Sequence, residues 1–132
     1  KRSSGTKTKK PVPTALQEEK SIEGYRIIIG KNNLQNDYIT TKLASKLDMW
    51  FHTKNIAGSH VVVMCKGEYL SEETILFAAK LAAKNSKAAN SSNVAVDYTQ
   101  IKNVKKPSGA KPGMVIYTTN KTVFVTPKED IL

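Results

Sequence analysis

Disulfide chemistry is absent from this 132-residue chain, because a single cysteine, Cys65, has no internal partner. It lies in the apolar run His60-Val-Val-Val-Met-Cys65 and reads as a buried, reduced thiol, which suits a reducing compartment. No apolar run approaches the ~20 residues needed to span a bilayer, so no membrane partner is expected. Two histidines and one cysteine show no paired metal-ligand spacing, and no phosphate-loop or dinucleotide fingerprint occurs, so neither metal nor cofactor is expected. Arginine is scarce too: Arg2 and Arg26 are the only two among 21 basic residues.

What is abundant is lysine. The net charge of +10 favours phosphate-rich partners, since each phosphate neutralised releases condensed counterions. The same surplus also suits a merely solvated surface, so charge needs support from the motifs. About +4 of it lies in residues 1–20, a Ser, Gly, Thr, Lys and Pro stretch that reads as a basic flexible arm. Residues 21–132 keep +6 and form one domain. The chain begins at Lys1 rather than Met and reads as a piece of a longer protein.

The domain reads as α+β, with a mixed, mainly antiparallel sheet, one short helix and one long one. Tyr25–Ile29 is the first strand, stopped by Gly30. Asn36 is expected to cap a short helix over Asp37–Ser45, and Ser71 a long one from Glu72 to about Ala88. Met49–Lys54 and His60–Cys65 read as neighbouring antiparallel strands around a turn at residues 55–59. Val94–Tyr98 is another strand, Lys102–Gly113 a basic Pro/Gly loop, and 114–118 with 122–126 a hairpin turning at Asn120-Lys121.

The central hairpin gathers the only tryptophan and both histidines. Strand alternation puts Trp50, His52 and Lys54 on one face, as a possible site, and Met49, Phe51 and Thr53 on the other, as core. Trp50 suits a base-stacking platform or a core position. Gly58-Ser59-His60 suits a small anion nest or an ordinary self-capped turn. Ser59, His60 or His52, and Asp97 are the residue types of a hydrolytic triad, but no nucleophile elbow is present and adjacent Ser59 and His60 would face opposite ways, so no catalytic residue is expected. Lys102, Lys105, Lys106 and Lys111 load one loop with charge, and Lys31, Asn32, Asn33, Gln35 and Asn36 form a second polar cluster. Lys80, Lys84 and Lys87 share a helical face that could be solvated or contact RNA.

Gly30-Lys-Asn-Asn33 with Gln35-Asn-Asp37, Trp50-Phe-His52, Gly58-Ser-His-Val-Val62, Ala78-Ala-Lys-Leu-Ala-Ala83 with Ser86-Lys87, Val96-Asp-Tyr-Thr99, and Val104-Lys-Lys-Pro107 with Pro112-Gly113 resemble, in order, the C-terminal RNA-binding domain of the NFACT family, often labelled fibronectin-binding protein A in bacteria. The resemblance implies a cytoplasmic, non-catalytic domain of a ribosome-associated quality-control factor. Its partners would be tRNA and the large ribosomal subunit, and the full protein would support alanine tailing of stalled nascent chains. The arm would tether the domain to the rest of its parent protein. The label itself suggests a second class, a surface adhesin module that binds fibronectin.

Overall fold

In the computed structural model, which describes residues 15–129, the isoleucines Ile27, Ile28 and Ile29 and the valines Val61, Val62 and Val63 are all buried. Unbroken apolar runs of this kind belong to strands covered on both faces. They are the cores of β2 (Arg26–Ile29) and β4 (Val61–Val63), which pair with each other in the sheet. Four more strands complete it: β1 (Gln17–Lys20), β3 (Met49–Thr53), β5 (Val94–Gln100) and β8 (Lys121–Val125). The order is β1-β2-β4-β3-β5-β8, and every pairing is antiparallel. Two short strands, β6 (Val104–Lys105) and β7 (Ile116–Tyr117), form a separate ribbon.

One face is closed by α2 (Glu72–Lys84). Ala78, Ala79, Ala82 and Ala83 pack there with Ile27, Ile29, Phe51, Val61, Val63 and Val96, and their small side chains let the helix axis approach the sheet. Ser71 caps the helix by accepting from the Thr74 N–H at 3.1 Å, and Glu72 and Glu73 sit in its positive first turn. The opposite face buries Ile28, Trp50 and Val62 with Ile39 and Ile101. Cys65 is buried and free, and burial pushes its thiol above the ordinary value.

Several expected boundaries move. Gln17–Lys20 is an edge strand, fastened by the Arg26–Glu18 ion pair at 2.8 Å, so the arm drawn to residue 20 runs too far. The rest of that arm, residues 1–14, lies outside the described residues. The short helix starts earlier than expected, as α1 (Asn33–Tyr38), and continues into a π-helical turn at Ile39–Leu43. Its cap is Asn32, not Asn36. Asn36 is instead buried, accepting from the His60 N–H at 3.0 Å and donating to the Gly58 carbonyl at 3.4 Å. Gly30 is what admits it, since a Cβ there would stand 2.1 Å from Asn36 Oδ1.

The long helix stops at Lys84, short of Ala88. Its last carbonyls are taken by the side chains of Asn85, which donates to Leu81, and Ser86, which donates to Ala83. The next residues are drawn to the β3–β4 turn: Asn85 O accepts from the Ser59 N–H and Ala57 O from the Lys87 N–H, each at 3.0 Å.

The expected C-terminal hairpin does not form. β7 pairs with β6, placing a strand inside the stretch read as loop, while β8 pairs with β5. The chain crosses over because Thr118 donates to Asn103 and Thr122 to the Asp97 carboxylate at 2.6 Å.

Candidate nucleic-acid interface

On β3 the alternation divides the strand as expected: Phe51 enters the α2 core, stacked on Tyr98 at 5.2 Å, while Trp50 and His52 face away from it. On that side α1, the β3–β4 turn and the segment from Lys111 to Tyr117 enclose a cleft of about 450 Å³. Its wall is aromatic. Trp50 stacks on His52 with centroids 5.7 Å apart and planes 9° apart, and meets His60 edge-on at 5.3 Å and Tyr117 at 4.8 Å. Trp50 has no exposed surface, whereas His52 and Tyr117 are half-buried. The Trp50 indole N–H is buried without an acceptor, an arrangement that costs about 1–3 kcal/mol.

Both imidazoles are held neutral. Burial lowers His52 below its ordinary pKa. Burial first, and then the neighbouring His52, bring His60 down to about 3, and its Nδ1 lies 2.7 Å from the Thr40 hydroxyl. Asp97 lies opposite His52 across the strands. Burial pushes its carboxyl up, but hydrogen bonds from Thr122, Tyr117 and Lys54 outweigh that and hold it below the usual range. Burial, with the 2.5 Å bond to Asp97, raises the Tyr117 phenol.

A second, shallower groove of about 290 Å³ runs on the other side of the turn, between Lys31 and Lys87. It shares Asn33, Asn36, Ala57 and Gly58 with the first cleft. Gly58 is required where the turn meets the end of α2, since a Cβ there would lie 2.6 Å from Ser86 Cβ and 2.9 Å from its Cα.

The expected site residues therefore separate. Trp50, His52, His60, Asn33, Asn36 and Lys111 line the cleft, and Lys31, Asn32, Ser59 and Lys87 the groove. Gln35 braces the loop before α1, its side chain accepting from the Lys31 N–H at 2.9 Å. Lys84, Lys102 and Lys105 are exposed elsewhere on the surface. Lys54, expected on the site face, is ion-paired with Asp97 at 3.3 Å and does not line the cleft, and Lys106 is paired with Asp37 at 2.9 Å. Lys80 is buried and donates to the Glu129 carbonyl, so it does not share an outer face with Lys84 and Lys87.

The anion nest is overturned, because Asn85 O and Asn36 Oδ1 already occupy the Ser59 and His60 N–H groups. With His60 bonded to Thr40 and Asp97 to Lys54, Tyr117 and Thr122, the triad residues have other partners. No group of three or more His, Cys, Asp and Glu side chains suited to a metal occurs among the described residues, and no described helix is long and apolar enough to cross a membrane. Tyr117, Asp37 and Asn55 are parts of the site that local sequence reading missed; Asp37 carries it by accepting from the Gly113 N–H at 3.1 Å and so tethering the cleft's outer segment.

A family model described as the NFACT protein RNA binding domain matches residues 16–119. This chain belongs to the NFACT RNA-binding family. The NFACT domain is 51% identical over 130 residues to Rqc2 homolog RqcH of Bacillus subtilis, covering 98% of this chain and 22% of that protein. It is 51% identical over 104 residues to Rqc2 homolog RqcH of Streptococcus suis, covering 79% and 19%. It thus spans about a fifth of the length of these curated relatives. A solved structure, the C-terminal of the fibronectin/fibrinogen-binding protein from Streptococcus suis, superposes with a TM-score of 0.83 at 44% identity, over 92% of this NFACT domain and 49% of that chain.

Proposed function

We propose that this domain contacts tRNA or large-subunit ribosomal RNA within a cytoplasmic ribosome-associated quality-control factor. The parent protein supports alanine tailing of stalled nascent chains, and residues 1–14 form part of the tether to it. The observation that carries the reading is a neutral aromatic and amide cleft lined by Lys111, beside a groove lined by Lys31 and Lys87, on a chain of net charge +10. Such a surface offers stacking and hydrogen bonding to bases in one place and cations to phosphates at its margin. Exposed Lys84, Lys87, Lys102 and Lys105 extend the phosphate contact. Peptidyl transfer remains the work of the ribosome, and the domain supplies RNA contact rather than a catalytic group.

The test is binding of the chain to tRNA and to purified large subunits across a salt series. Affinity falls steeply and linearly on logarithmic axes if lysines replace counterions. Binding that does not change with salt refutes the electrostatic account. A second reading, fibronectin binding, is favoured by the description of the streptococcal structure. It requires saturable binding of fibronectin by the folded domain at physiological salt.

A further inference from the structure

We infer that the cleft over Trp50 receives one unstacked nucleobase of the bound RNA, with the neighbouring phosphates left outside on the lysine rim. The inference rests on the RNA reading and names what the cleft itself takes.

Size admits such a guest, since about 450 Å³ falls within the ~300–1,000 Å³ of small-ligand sites. Shape favours a flat one: the half-buried rings of His52 and Tyr117 are presented at the cleft, with Trp50 packed behind both. Charge then separates base from phosphate. Lys111 is the one ionic side chain in the lining, and the two imidazoles are neutral at physiological pH, so the interior offers a phosphate little compensation for lost water. A nucleobase carries no such penalty.

Hydrogen-bonding capacity is also in place. Exposed Asn33 and Asn55 line the cleft, and a side-chain amide can pair with a base edge as both donor and acceptor. Asn55 holds a left-handed backbone at φ +57°, which fixes its place in the turn. A guest bearing ring nitrogens or a carbonyl oxygen can pair with these amides, which an aliphatic ligand cannot.

The experiment compares the binding of this chain to a short unstructured oligoadenylate and to an abasic strand of the same length. The two have the same phosphates and differ only in bases. Trp50 is the only tryptophan, so its fluorescence reports the cleft directly. The expected result is affinity for the base-bearing strand roughly tenfold higher, as stacking of one base implies, with a saturable change in fluorescence only for that strand. Asn33→Ala, Asn55→Gly and His52→Ala each shrink that margin. Asn55→Gly keeps the left-handed turn, so its result does not depend on a damaged fold.

Equal affinities without a fluorescence change overturn the nucleobase assignment and leave the RNA reading standing. A margin that none of the three variants reduces places the base elsewhere and also overturns it. No binding of either strand at low salt overturns the inference, and the RNA reading falls with it only if tRNA and large subunits also fail to bind.

Discussion

The two faces of one sheet are closed in different ways. Against α2 the sheet presents Ile27, Ile29, Phe51, Val61, Val63 and Val96 to four alanines, and the buried Thr53 on this face donates its hydroxyl to the Ile56 carbonyl at 2.8 Å. On the other face apolar Ile28, Trp50, Val62, Ile39 and Ile101 are interleaved with His60, Thr40 and Asn36, each held by a specific partner. The first arrangement depends on volume and area, and the second on geometry, because a buried polar group that loses its partner costs about 1–3 kcal/mol. A protein needs only the first kind for stability. The second kind fixes in place polar groups that line the cleft, Asn36 and His60.

The sharpest test of this contrast is Phe51→Ala, which removes a fully buried ring from the α2 face. Chemical denaturation should register a loss of about 3–5 kcal/mol. A loss under about 1 kcal/mol would show that the α2 face is not the stabilising core. The other face should instead respond to pH. His60 has a folded pKa of about 3 against an ordinary 6.5, so between those values the unfolded chain binds the extra proton. Stability is complete above about pH 6.5 and falls as pH drops toward 3, by about 3 kcal/mol at pH 4 from this group. Asp97, also held below its ordinary value, adds a loss of the same sign at lower pH. A denaturation series in which His60→Gln does not flatten the slope between pH 7 and 4 would remove His60 from that role.

How much of this was legible before folding depended on whether the cause lay nearby in the chain. The unbroken runs at Ile27–Ile29 and Val61–Val63, the Ser71 cap and the alternation of Trp50 and Phe51 are local signals, and each is realised. The end of α2 is not local, because Asn85 and Lys87 are bound by the distant turn at Ala57–Ser59. Nor is the pairing of β8, which follows Asp97 rather than its neighbour β7. Lys54 and Lys106 looked free because their acid partners, Asp97 and Asp37, meet them only through topology. Tyr117 joins the cleft for the same reason. Alternation revealed the face, but only the fold could enclose it.

Two smaller effects refine the comparison. Gly58→Ala drives a methyl group against Ser86 backbone and side chain alike, with Asn85 O also only 3.3 Å away. It should cost about 1–3 kcal/mol in thermal or urea unfolding, a value below that of Phe51→Ala because the turn can give where the core cannot. An unchanged midpoint would mean that the turn and the end of α2 are not tightly joined.

The smallest effect on stability, and the most specific for binding, separates two adjacent lysines. Lys105 is exposed and its neighbour Lys106 is ion-paired with Asp37, which also anchors Gly113 at the cleft. Lys105→Gln should leave unfolding within about 0.5 kcal/mol of the parent, while reducing the slope of RNA affinity against salt by about one. Lys106→Gln removes one partner of Asp37 beside the segment that closes the cleft, so it should weaken base-dependent binding more than it alters the salt slope. If the two variants instead change the slope equally and leave base dependence alone, Lys106 acts as one more phosphate cation, and the distinction between the anchored cleft and its charged surroundings does not extend to this loop.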